Sequence, residues 1–131
     1  MTTGRTQNAT DDDPAGTEEL PPDIDLMRGT ARLLLVEDPE PLAADELSTV
    51  ISALRGHIAV LVPDVGQLAV RLPKDDIPRA CALACCGEAR MRMRLDDGDT
   101  PDIRTAAAQR LARSVLALCD HYENLGGVVT G

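Results

Sequence analysis

Residues 100–127 read TPDIRTAAAQRLARSVLALCDHYENLGG, and this stretch decides the fold. Thr100 is a residue type that caps a helix with its side-chain oxygen, Pro101 suits the first helical position, and Asp102 complements the positive end of the helix dipole. Ile103, Ala107, Leu111, Val115, Leu118, Tyr122 and Leu125 then recur at steps of four or three, one face of an α-helix. Gly126-Gly127 stops it. At 1.5 Å per residue this helix is about 37 Å long.

Working back toward the N-terminus, the same period recurs. A third helix starts at Asp75 or Asp76 and ends near Leu95, before the turn Asp96-Asp97-Gly98. Its main apolar stripe is read as Ile77, Ala80, Cys81, Ala84, Gly87, Met91 and Leu95. The second helix spans about 42–62, with Leu47, Val50, Ile51, Leu54, Ile58 and Leu61 on one stripe. Pro63 is expected to interrupt it, leaving a short fifth helix over 64–72 at a new angle. The first helix, about 23–37, places Ile24, Met27, Ala31, Leu34 and Leu35 near one face, and Gly29 weakens it by about 1 kcal/mol relative to Ala. No strand pattern is present. The expectation is an all-α antiparallel bundle of about four helices, with a domain over 23–126.

Residues 1–22 differ in kind. They hold Thr, Gly, Asp and Pro with a single large apolar side chain besides Met1, Leu20. Residues 1–40 carry ten acids against three arginines, whereas the remainder is nearly balanced. Burial of so little apolar surface cannot offset backbone ordering of roughly 1–2 kcal/mol per residue, so this reads as a disordered acidic leader.

Composition removes several function classes. The net charge is −9 and Tyr122 is the sole aromatic among 131 residues. Nucleic-acid binding calls for clustered cations and stacking rings, and neither is here in quantity. Uninterrupted apolar runs such as 58–62 are far short of a membrane span. With no apolar export segment at the N-terminus, a cytoplasmic location is expected.

Cys81 and Cys85 lie one turn apart, but Cys86 points about 100° from Cys85, so these three do not converge without unwinding. A site of Cys81, Cys85, Cys119 and His121 requires the third and fourth helices to cross at that level. No cofactor and no metal are expected, and the cysteines read as reduced, buried small apolar residues. The runs Asp11-Asp12-Asp13, Asp75-Asp76 and Asp96-Asp97-Gly98-Asp99 read as caps and solvated turns, because the last departs from the calcium-loop pattern. Arg90-Met91-Arg92-Met93-Arg94 is the one concentrated cation cluster, and Arg92 can pair with Glu88. The cluster reads as a salt-bridged outer face or a dock for the chain's own acidic leader, with a phosphate or acidic-partner site as the alternative.

Two readings of function follow. The first is a non-catalytic interaction module with a protein partner or a second copy of itself. It rests on second apolar stripes, Ala82, Cys86, Ala89 and Met93 on the third helix, and Ala112 and Leu116, with Ala108 and Cys119, on the fourth. A helix at the edge of a monomeric bundle needs only one stripe, so the second stripes cover a partner or a second copy. The alternative is that both helices are central, wedged between the first two helices and the 64–72 segment, which would make the stripes core. The second is a small enzyme or ligand carrier with a pocket between helices, for which His57, Glu88, His121 and Tyr122 are the available polar groups.

Leu54-Arg55-Gly56-His57-Ile58, Leu72-Pro73-Lys74-Asp75-Asp76-Ile77-Pro78-Arg79-Ala80, Gly87-Glu88-Ala89-Arg90 and the run from Leu111 to Tyr122 carry a resemblance. Across about 42–125 the chain resembles a family of short actinobacterial proteins of unknown function, labelled as associated with natural-product biosynthesis. Twelve arginines against one lysine fit a high-GC genome. The resemblance implies a helical, cytoplasmic accessory protein and supplies no catalytic residues.

Overall fold

The computed structural model describes residues 20–37 and 40–127, so most of the expected leader lies outside the described residues. Four helices make up the fold: α1 (Ile24–Arg32), α2 (Ala44–Val70), α3 (Ile77–Arg94) and α4 (Pro101–Asn124). Among the described residues there is no strand.

Local chemistry sets the ends. The Asp23 carboxylate accepts from the Leu26 N–H at 3.1 Å to start α1. Regular helix stops at Arg32, earlier than the sequence suggests. Two tight turns (Leu34 N–H to Ala31 O, Leu35 N–H to Arg32 O) still bring Leu34 into the core. At α2 the Glu46 carboxylate reaches back to the Ala43 N–H, 2.9 Å away. Asp76 precedes α3 without a side-chain cap bond. Thr100 Oγ1 accepts from the Ile103 N–H at 3.2 Å, the expected cap of α4. Beyond Leu125, Gly126 adopts φ +87°. Its N–H bonds Glu123 O, and the Gly127 N–H bonds Tyr122 O, which is the Schellman pattern.

The break expected at Pro63 does not occur. One helix of 27 residues, about 40 Å long, runs from Ala44 to Val70. Pro63 lies on the exposed side, while Val62, Val65 and Ala69 keep the register of Leu54, Ile58 and Leu61 in the core. The missing N–H and the ring therefore fall on the solvent side, and no separate fifth helix forms. By length and composition alone α2 also meets the requirement for a membrane span, although no single apolar run in it does; here it is the spine of the bundle.

Side-chain ties give the topology. Arg28 of α1 reaches Asp120 and Glu123, and Gln109 reaches Leu34 O, so α1 and α4 are antiparallel. His57 meets Thr30, which sets α2 against α1. Cys86 meets Val62 O while Arg55 meets Met93 O, so α3 runs back along α2. Arg92 reaches Arg110 O and Ser114 across to α4. The bundle is up-down-up-down, but flattened. α2 and α4, the parallel diagonal pair, touch directly, whereas α1 and α3 do not touch at all. Fully buried Ala108 and Ala112 make α4 slim enough to sit at the centre, in contact with all three other helices.

Candidate functional site

The four polar residues nominated for a pocket do not converge. His57 Nε2 lies 3.4 Å from Thr30 Oγ1, under α1, and burial holds its pKa below the ordinary 6.5. Glu88 is exposed on α3, 3.7 Å from Arg92. Because α1 and α3 lie on opposite sides of the α2–α4 pair, His57 and Glu88 are kept apart. Tyr122 is buried near the end of α4, and it borders a groove of about 450 Å³ with Leu20, Pro21, Asp64, Gln67 and Arg71. His121, next in sequence, points about 100° away around the helix. It lies on the side where Ser114, two turns earlier, receives Arg92 at 2.9 Å.

The cysteines are divided in the same way. Cys86 is buried and its thiol donates to Val62 O (3.6 Å), whereas Cys81 is exposed on the other side of α3. The expectation that all four are buried therefore fails at Cys81. Cys119 is buried in α4 and Cys85 half-buried; burial pushes both thiols up to about 11. Among the described residues no three His, Cys, Asp or Glu side chains gather to hold a metal ion.

The two stripes of α3 exchange roles. Ala82, Cys86 and Ala89 are at most 1 % exposed, and Met93 packs against the same core. On α4, Ala112 is fully buried and Leu116 is packed against the core. These residues, whose spacing left open an interface or a core position, are covered by the chain's own helices, which is the core alternative. The stripe read as core faces outward: Ile77 is 75 % exposed, Met91 63 % and Leu95 54 %, and Cys81, Ala84 and Gly87 between them are exposed as well. The reason is volume. Large side chains of α2 and α4, among them Ile58, Leu61, Val115 and Leu118, fill the space between elements. The third helix fits against them only through small residues, which permit the closer end of the 8–10 Å range of helix packing.

Several arginines are consumed in holding this arrangement. Arg55 donates to Met93 O (2.8 Å), Leu95 O (3.0 Å) and Asp97 (2.5 Å), satisfying carbonyls that end α3. Arg79 does the same at the end of α2, to Val70 O and Leu72 O. Arg28 is clasped by Asp120 and Glu123, and this pairing holds the Glu123 carboxyl below its ordinary pKa. Arg55 was not singled out by sequence reasoning. Its signal was available: apart from His57, it is the one ionisable side chain between Leu47 and Pro63. Arg90 and Arg94 are different. Both are exposed, and among the described residues neither forms an ion pair. They border a groove of about 290 Å³ between α2 and α3, walled by Ile58, Ala59, Val62, Pro63 and Met93.

Residues 25–127 match the sequence model of a family of unknown function, DUF6415. No curated protein and no solved structure matches the chain.

Proposed function

The chain belongs to the DUF6415 family of unknown function, and from that premise we propose that it is a non-catalytic interaction module whose outward face of α3 receives a partner protein. One observation carries the reading. Ile77, Cys81, Ala84, Met91 and Leu95 follow helical spacing along the exposed side of a helix whose opposite side already fills the core. A helix of a monomeric bundle has no packing use for a second apolar face, and exposed apolar side chains gathered on one side of a helix, here around Glu88, mark interaction sites. The separation of His57, Glu88, His121 and Tyr122 favours this reading over the pocket enzyme. The resemblance to actinobacterial proteins labelled for natural-product biosynthesis supports a cytoplasmic accessory role beside such a pathway.

The test is affinity purification of the tagged full-length chain from its native host, with Met91→Glu alongside. Met91 is exposed, so the variant is expected to fold normally. Stoichiometric retention of one protein by the wild type and its loss in Met91→Glu supports the reading. Equal retention by both, or none by either, overturns it.

A further inference from the structure

Beside the outward face of α3, the groove shared with α2 has a chemistry of its own. Its walls, Ile58, Ala59, Val62, Pro63 and Met93, are apolar, and its charged rim is Arg90 and Arg94. These arginines lie one helical turn apart, so their Cβ atoms are about 5–6 Å from each other. On the α2 side nothing neutralises them. The charged residues of the middle of α2 are Arg55, turned to the end of α3, and Asp64, which borders the groove at the other side of that helix. Pro63 adds a further feature: lacking an N–H, it leaves the Ala59 carbonyl in this groove without its helical donor.

We propose that the α2–α3 groove seats an acidic amphipathic segment of the partner protein. Two of its carboxylates one turn apart engage Arg90 and Arg94, and its apolar side chains lie against Ala59, Pro63 and Met93. The inference rests on the interaction reading above and names the chemistry of the partner. Charge complementarity selects this occupant. A chain of net charge −9 carries here an apolar trough whose charged rim consists of two exposed arginines without ion-pair partners among the described residues. Carboxylate pairing to Arg is charge-assisted and directional. The chain's own residues 1–19 supply Asp11, Asp12, Asp13, Glu18 and Glu19 but no large apolar side chain besides Met1. They match the rim of the groove and not its walls. A second copy of α3 is disfavoured as well, because that helix carries Arg79, Arg90, Arg92 and Arg94 and only Glu88 to meet the two arginines.

Fluorescence anisotropy on the full-length chain tests this with a synthetic helical peptide. The peptide carries Glu at i and i+4 beside a Leu/Ile stripe, and two controls replace its Glu by Lys or its Leu/Ile by Ala. The acidic apolar peptide is expected to bind at least tenfold more tightly than either control, and Arg90→Glu/Arg94→Glu is expected to remove that preference. Equal binding of the three peptides, or no effect of the double variant, overturns the proposal. Changing Asp11, Asp12 and Asp13 together to Asn is expected to alter affinity less than twofold. A tenfold gain there would instead place the chain's own acidic segment in the groove and overturn the assignment to a partner. In the native-host purification, a partner lost in Met91→Glu but fully retained by Arg90→Glu/Arg94→Glu would remove the groove while leaving the interaction reading intact.

Discussion

Gly126 and Gly127 stand side by side after α4 for different physical reasons. Gly126 is held at φ +87°, where a Cβ meets the following carbonyl, so Gly126→Ala is expected to destabilise by about 1–2 kcal/mol. Gly127 lies against the ring of Tyr122, and a Cβ there would run into the ring. Gly127→Ala is expected to cost about 1–3 kcal/mol through overpacking. Urea unfolding measures both, and a Gly127→Ala protein as stable as the wild type would mean that the ring is free to move. The pair is readable in the sequence as a helix stop. The ring contact is not, because periodicity puts Tyr122 in the core without saying which later residue folds back over it. The cysteines show the same boundary. Sequence suggests four equivalent buried thiols, yet Cys81 is exposed while burial raises the pKa of Cys85, Cys86 and Cys119. Brief iodoacetamide treatment at pH 8 should therefore give one adduct, at Cys81. Peptide mapping that finds a second thiol modified equally fast would contradict this placement. Since Cys81 lies on the proposed docking face, bound partner should slow its labelling.

At the scale of the element, α3 explains why helix existence was legible and helix orientation was not. Around its axis the charged residues leave two apolar arcs of similar width, about 140° between Arg92 and Arg79 and about 120° between Arg94 and Glu88. The larger side chains, Ile77, Met91 and Leu95, sit on the narrower arc and drew the reading of a core face. The wider arc, with Ala82, Cys86, Ala89 and Met93, is the one that is buried. Only the bulk of α2 and α4 decides between them, and that is tertiary information. Hence Ala89→Glu, at a site with no exposure, is expected to unfold the chain, whereas Met91→Glu is expected to leave its circular dichroism and melting temperature unchanged. A folded Ala89→Glu protein would reverse the two faces again. The other miss, at Pro63, has a different origin. Proline does weaken a helix interior, but a helix packed along most of its length tolerates one on its exposed side. Pro63→Ala restores the N–H toward the Ala59 carbonyl and is expected to raise stability by about 1–2 kcal/mol after allowance for the freer unfolded chain. A lower melting temperature in this variant would show that the ring makes contacts worth more than the missing hydrogen bond.

Across the whole molecule, the flattened bundle makes α1 its least entrenched part. It is nine residues long, lies outside the α2–α4 pair, and does not touch α3. Two of its polar ties are ionisable. Arg28 is held by Glu123 and Asp120, and Thr30 sits beside the half-buried His57. Burial lowers the pKa of His57 from its ordinary 6.5, and the Arg28 hydrogen bond lowers that of Glu123 from its ordinary 4.5. In both cases the unfolded or undocked chain binds protons more readily than the docked one, so stability falls as pH falls. The His57 contribution is complete above pH 6.5 and declines below it, until the imidazole protonates in place. The Glu123 contribution is complete above pH 4.5 and declines below that. Acidification should therefore release α1 in two stages while the core of α2, α3 and α4, which carries no such groups at its centre, stays protected. Hydrogen exchange resolved by segment, corrected for the intrinsic pH dependence of exchange, measures this directly. His57→Gln should abolish the upper stage and Glu123→Gln the lower. If α1 amides keep the same relative protection as α4 from pH 7 to pH 4, then apolar packing of Ile24, Met27 and Ala31 alone holds α1 in place, and these side-chain ties contribute nothing to its docking.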